Sequence, residues 1–402
     1  MPTPINRKNR QHVSATRSPL IGTSTAWREH PLVRGVVVVA LLYAFLVAVN
    51  GLGAGFRALG EDVLDSFFAA TENPFVGLMI GILATTLMQS SSVTTAMIVG
   101  LVAAPENPIP IANAVPLIMG ANIGTTVTNT IASLAHMGRK EEFRRAFSVA
   151  TVHDFFNYLA VIVLLPLEMA TGYLQRLAVA MTSMLAGVGG GDYDSPIKNA
   201  IKAGSVPIEA ALGALLPTER MAAVFYVLLS GALIFATLLG IVAVMRASMR
   251  SHMESLVSRA LIRHASVAMI VGAVVTVMVQ SSSITTSLLV PLAGAGVLKL
   301  EQAFPVTLGA NIGTTVTALF AALAATDINA SAGLTIALVH LLFNLSGTLL
   351  IYPFAPIRRI PMLLARKLAD VAVESKALAI AYVIGLFYVI PVVFAILNET
   401  LG

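Results

Sequence analysis

The chain contains no cysteine in 402 residues, which excludes structural disulfides and thiolate-held metals and leaves the compartment undecided. Charge is scarce as well. Only 11% of residues are charged against 57% hydrophobic, and the mean hydropathy is +0.85. A chain this apolar is not a soluble globular domain; it reads as a polytopic membrane protein whose standing partner is the lipid bilayer. The net charge of +5 is not a nucleic-acid signal, because the basic residues sit in short loops, where the positive-inside bias puts them.

Polar side chains are rare inside the apolar runs, and where they occur they occur twice. QSSSVTT (Gln89 to Thr95) returns as QSSSITT (Gln280 to Thr286), offset by 191 residues from 89 to 280. GANIGTTVT (Gly120 to Thr128) returns unchanged from Gly309 to Thr317, offset by 189 from 120 to 309. HDFFN, with His153 and Asn157, is echoed by HLLFN, with His340 and Asn344, offset by 187 from 153 to 340. Three motifs in the same order at nearly constant spacing mark an internal duplication.

Taken in order, Met1 to His30 is polar, carries Arg7, Lys8, Arg10, Arg17 and Arg28, and has no apolar core of the kind a cleavable signal needs. It is expected to be a flexible cytoplasmic tail, with residues 1–33 outside the membrane. A first span follows from Arg34 to Arg57, long enough for a hydrocarbon core of roughly 30 Å. An acidic patch (Glu61, Asp62, Asp65, Glu72) then fits the outer face. Phe75 to Ala103 and Val267 to Leu298 are apolar but interrupted by the QSSS residues, and irregular backbone at membrane depth is tolerated only when buried or lining a cavity. Each is therefore expected to be a re-entrant hairpin with QSSS at its tip. Ile111 to Ala135 and Phe304 to Ala325 are expected to be spanning helices broken at GANIGTT. Basic loops follow at Arg139, Lys140, Arg144 and Arg145, at Arg246, Arg250, Arg259 and Arg263, and at Arg358, Arg359, Arg366 and Lys367.

The predicted architecture is an all-α polytopic membrane protein with an inverted structural repeat, two re-entrant hairpins and broken transmembrane helices. Its halves are residues 34–168 and 221–375, joined by an outer linker over 169–220 and closed by a last span and C-terminus over 376–402. Parity supports the inversion. If each QSSS segment enters and leaves on one side, all three basic loops and the N-terminal tail fall in the cytoplasm and the hairpins enter from opposite faces, as in many secondary transporters with a midplane site.

The motif residues offer hydroxyls and amides and no charge: Gln89, Ser90, Ser91, Ser92, Thr94, Thr95, Asn122, Thr125 and Thr126 in one half. The other supplies Gln280, Ser281, Ser282, Ser283, Thr285, Thr286, Asn311, Thr314 and Thr315. Their oxygens are hard neutral ligands for an alkali cation, and their protons are donors to an anion. A cation ~4 Å from a bound anion contributes roughly 4 kcal/mol at an effective dielectric of about 20, so each ligand would bind well only with the other, a reciprocal coupling. A Ser/Thr cluster in a membrane helix also serves plain helix packing; duplication with conserved spacing favours a site. For His153, Asp154, Asn157, His340 and Asn344 structural and functional roles stand equal.

The set QSSS twice, GANIGTTVTNTIA, FRRAF before ATVHDFFN, and LLPLE closely resembles the type II sodium-coupled phosphate cotransporters, from about Phe75 to Leu397. The resemblance implies secondary active import of inorganic phosphate driven by sodium as co-substrate, with no other cofactor and no catalytic residue. It implies phosphate and sodium bound by Gln89 to Ser92 and Gln280 to Ser283, with Thr94, Thr95, Asn122, Thr125, Asn311 and Thr314 nearby. On the combined reading the anion lies against both QSSS runs, Thr94 and Thr285, and sodium takes Gln89, Ser91, Asn122, Thr125, Gln280, Ser282, Thr286, Asn311 and Thr314. Animal members carry a long disulfide-bearing outer loop and a further helix and tail; the short cysteine-free linker here implies a bacterial-type member in the inner membrane, for which a homodimer is an admissible assembly. A transporter of another oxyanion (sulfate or a carboxylate), a channel, and an intramembrane serine hydrolase using a QSSS serine with His153 remain competing readings.

Overall fold

The computed structural model describes residues 31–59, 71–104, 108–188, 196–260, 264–324 and 329–401. The N-terminal tail, Glu61, Asp62, Asp65 and Arg263 fall outside them, and the side chains of Arg246, Arg250 and Arg259 are likewise not described. Among the described residues every regular element is helical. Six helices among the described residues are long and apolar enough to cross a membrane: Leu32–Gly55, Lys140–Thr171, Glu219–Val244, Leu300–Ala324, Ala330–Ile351 and Lys376–Asn398.

The first half opens with α1 (Pro31–Ala58) and continues with α2 (Pro74–Met88) and α3 (Ser91–Val102), the two arms that meet at QSSS. Arms of 15 and 12 residues rise only about 22 and 18 Å at 1.5 Å per residue, so neither alone crosses a hydrocarbon core. GANIGTT follows on α4 (Ile111–Gly124) and α5 (Val127–Leu134), and HDFFN lies on α6 (Lys140–Thr171). The stretch expected as a linker is also helical, α7 (Tyr173–Val188) and α8 (Pro196–Leu215). Helix α7 is docked on the second half, where the hydroxyls of Thr182 and Thr335 lie 3.0 Å apart.

The second half repeats the order with α9 (Glu219–Ala260), α10 (Ala265–Val279), the short α11 (Ser282–Ser287) and α12 (Leu289–Gly294), α13 (Leu300–Ala324) and α14 (Ala330–Ile351). Helix α15 (Ala355–Glu374) leads to the final span, α16 (Lys376–Ile384) and α17 (Ile390–Leu401), with a π turn over Gly385–Val389 between them.

Glycine sets the closest packing identically in both halves. A Cβ on Gly81 or Gly120 would overlap the carbonyl oxygens of Leu117 and Leu78 across the α2/α4 contact, and one on Gly272 or Gly309 would overlap those of Val306 and Met269 across α10/α13. Backbones this close explain why small residues hold such positions in membrane bundles. Gly120→Ala is expected to cost about 1 to 3 kcal/mol by overpacking, measured as a lower melting temperature of the detergent-solubilised chain.

The exit arm of each pair leans on the other half. Asn329, ahead of α14, donates to the Ala104 carbonyl just past α3 at 2.6 Å, while Arg145 on α6 donates to the Gly294 carbonyl at the end of α12 at 2.7 Å. The halves are thus interlocked.

Two departures from the sequence expectation have local causes. The GANIGTT helix of the first half is broken as expected, but its copy in the second half is not: α13 runs unbroken through Asn311, Thr314 and Thr315. The threonines bond back to the same carbonyls in both copies, Thr125 to Ala121 at 2.8 Å and Thr314 to Ala310 at 3.0 Å, so they do not decide it. The following residues do. Asn129, which bonds Thr286, and Thr130, which divides its hydroxyl between the Thr126 carbonyl and Asp154, are matched by Ala318 and Leu319, good helix formers that carry the helix onward. Conversely the exit arm α3 is continuous, whereas its copy breaks at Leu288, because the Pro291 ring excludes the Ser287 carbonyl from the helical ladder.

Candidate functional site

Each QSSS run adopts the same two-residue conformation between its helices. Gln89 (φ 53°) and Gln280 (φ 55°) are the only non-glycine residues of positive φ among those described. Each is the left-handed cap of the preceding helix, and its side-chain amide returns 2.6 Å to a carbonyl of the last turn, Thr86 or Val277. Ser90 and Ser281 are extended, and their hydroxyls accept the N–H of Val93 and Ile284, both at 3.4 Å, capping α3 and α11. Sequence thus fixes the bend through a left-handed stop followed by a serine start.

The tips are anchored to the GANIGTT helices and to one another. Thr128 donates to Gln89 Oε1 at 3.1 Å and Thr317 to Gln280 Oε1 at 2.9 Å. Ser92 reaches across to the Gln280 carbonyl at 3.4 Å, joining the two copies. Asn129 on α5 donates to Thr286 Oγ1 at 2.7 Å and accepts from the Ser287 hydroxyl at 3.1 Å. Ser91 and Ser282 occupy matching places at 6% and 2% exposure, and among the described residues neither hydroxyl has a partner.

Beneath the tips the halves exchange partners. His153 Nε2 lies 2.8 Å from Asn311 Oδ1, and Asn311 in turn donates to Asn157 Oδ1 at 2.9 Å. In mirror fashion His340 Nε2 lies 3.4 Å from Asn122 Oδ1, and Asn344 donates to the same oxygen at 3.1 Å. Asn157 links the two sets by donating to the Asn122 carbonyl at 2.7 Å. All six side chains are buried. Among the described residues His153 Nδ1, His340 Nδ1 and Asn344 Oδ1 have no partner, so the network is satisfied only in part, and unpaired polar atoms are costly in a low-dielectric interior.

One carboxylate stands beside this network. Asp154 is fully buried; its Oδ2 accepts from Tyr382 at 2.8 Å and from Thr130 at 3.3 Å, while Oδ1 has no donor. Such an oxygen is costly unless a proton or cation meets it.

Of the residues singled out in the sequence, the structure joins Ser92 with Gln280, and Asn122 and Asn311 with both HxxxN pairs. It places Thr94 and Thr285 on the first turns after the tips, bonded back to the Ser90 and Ser281 carbonyls at 3.2 and 3.4 Å. Thr125 and Thr314 bond only their own helices. Sequence reasoning did not single out Thr128 and Thr317 as anchors, although both lie inside the duplicated motif. Asn129 gave no duplication signal at all, since Ala318 stands in its place.

The model of the Na+/Pi-cotransporter family matches residues 44–189 and 233–352. The chain belongs to that family. Members among its relatives include the sodium-dependent phosphate transport protein 2A of Rattus norvegicus, 33% identical over 96% of this chain and 71% of that protein. The 2A protein of Ovis aries is 34% identical over 90% of this chain and 67% of its own length, and the 2B protein of Bos taurus 33% over 89% and 64%. No solved structure matches the chain. Both matched stretches of the family model contain the QSSS, GANIGTT and HxxxN motifs, and the gap over 190–232 falls on α8 and the start of α9. Family membership makes this chain a transporter and removes the serine hydrolase reading.

Proposed function

We propose that this cotransporter family member imports inorganic phosphate together with sodium, binding both at one site shared by the two QSSS tips. The observation that carries this reading is the pairing of copies: Ser92 touches the Gln280 backbone, and Ser91 and Ser282 present matched uncommitted hydroxyls. Anion donors come from the serines. Cation ligands come from the Gln89 and Gln280 amides, the Asn122 and Asn311 amides, and the Thr125, Thr286 and Thr314 oxygens. The relatives, sodium-dependent phosphate transport proteins, supply the identity of the two ions.

Arms too short to span, two-residue tips and three basic loops favour re-entrant hairpins entering from opposite faces, with the halves inverted over 34–168 and 221–375 and the N-terminus cytoplasmic. Asp154 Oδ1, buried and without a donor among the described residues, adds a carboxylate oxygen for a sodium ion. Asp154→Asn is accordingly expected to raise the sodium concentration for half-maximal uptake by about tenfold, the loss of one charge-assisted contact, with a smaller change in phosphate half-saturation.

The test is labelled-phosphate uptake by vesicles containing the full chain. Accumulation above the outside concentration only under an inward sodium gradient, and competition by unlabelled phosphate, are expected. Competition by sulfate alone would shift the substrate, passive equilibration would indicate a channel, and uptake indifferent to sodium would end the reading.

A further inference from the structure

We propose that the cavity beneath α15 binds the headgroup of an anionic phospholipid. This cavity, of about 620 Å³, is lined by Phe304, Tyr352, Met362, Leu363, Arg358 and Arg359, with the Arg366–Glu301 ion pair at its side. It lies where two membrane-crossing helices end, Phe304 in the second turn of α13 and Tyr352 just after the last residue of α14, beside Ala265 at the start of the hairpin arm α10. That is headgroup depth.

Helix α15 is built for the same depth. Pro361, Met362, Ala365 and Ala369 are buried on one side, and α15 is docked on α6, where Arg144 pairs with Asp370 at 2.6 Å. A second stripe, Ile357, Ile360 and Leu364, is 37%, 42% and 40% exposed. Apolar side chains at that spacing beside Arg359 and Lys367 describe a helix lying in the interface plane, one flank in acyl chains and one in water.

The arginines are arranged for an anion. The Arg358 guanidinium sits 5.0 Å from the Tyr352 ring centre and donates to the Tyr352 carbonyl at 3.3 Å, so its position is fixed in advance. Arg359 is exposed and has no ion-pair or hydrogen-bond partner among the described residues. Two guanidiniums over walls of Phe304, Tyr352 and Met362 match a phosphodiester carried on an apolar tail. A free phosphate shares the charge chemistry and has no use for the walls. Basic pockets between spanning helices take lipid headgroups by this means.

The test titrates fluorescent phosphatidylglycerol, and phosphatidylcholine with the same label, into the detergent-solubilised full chain. Phosphatidylglycerol is expected to bind more tightly, and Arg358→Gln and Arg359→Gln each to weaken it about fivefold, leaving phosphatidylcholine unaffected. Because the readout is lipid binding, it does not depend on the transport reading. Equal binding of the two lipids, unchanged affinity in both variants, or displacement of phosphatidylglycerol by inorganic phosphate at millimolar levels would overturn the proposal, the last by making the cavity a free-anion site. Folding of the variants is checked by thermal unfolding in detergent, where the melting temperature is expected to match that of the parent chain.

Discussion

Ser91→Ala and Ser282→Ala are each expected to raise the phosphate concentration for half-maximal uptake by about tenfold to a hundredfold. A hydrogen bond to a charged ligand contributes about 1.5 to 3 kcal/mol, and among the described residues neither of these buried hydroxyls has a partner, so each has its donor to give. Because both would contact one anion, the effects should couple: the double variant should fall short of or exceed the sum by more than about 0.5 kcal/mol. Ser→Thr at either place keeps the hydroxyl and should recover part of the affinity. Uptake kinetics of the four proteins in vesicles, normalised to the amount inserted, give the comparison; simple additivity would indicate two separate sites.

Asn311→Ala should abolish transport and destabilise the chain. It removes the partner of His153 Nε2 at 2.8 Å and of Asn157 Oδ1 at 2.9 Å, leaving both buried groups unsatisfied at about 1 to 3 kcal/mol each. The equivalent Asn122→Ala should cost less, because its bonds from His340 and Asn344 are longer, 3.4 and 3.1 Å. Thermal unfolding of the two variants in detergent ranks them, and a larger drop for Asn122→Ala would show that the two halves are not loaded as the geometry implies.

Much of the candidate site's geometry could be read from the sequence because its residues are the wrong kind for their surroundings. Hydroxyls and amides inside apolar runs are conspicuous, and their repetition located Gln89 to Ser92, Gln280 to Ser283, Asn122 and Asn311 together. The bend at each tip was foreseeable from the same residues. What could not be read was who meets whom: that His153 bonds Asn311 of the other half, and His340 Asn122, is a fact of tertiary packing to which local pattern is blind. The motif also overstated the symmetry. Identical GANIGTTVT runs give a broken helix in one half and the unbroken α13 in the other, since the residues just beyond, Asn129 and Thr130 against Ala318 and Leu319, settle the matter. Pro291 breaks the second exit arm in the same way, from outside the repeated stretch. Helices α7 and α8 could be read only as two Gly/Pro-interrupted amphipathic pieces of the linker; α8 runs through Gly204 and Pro207, which tertiary contacts override.

If one site is assembled from both halves, its occupancy has a fixed count. Titrating phosphate calorimetrically into the purified full chain, with sodium and again with sodium replaced by choline, measures that count directly. One phosphate per chain in sodium and none in choline is the expected result. Two phosphates per chain, or binding of equal strength without sodium, would contradict a shared, cation-dependent site.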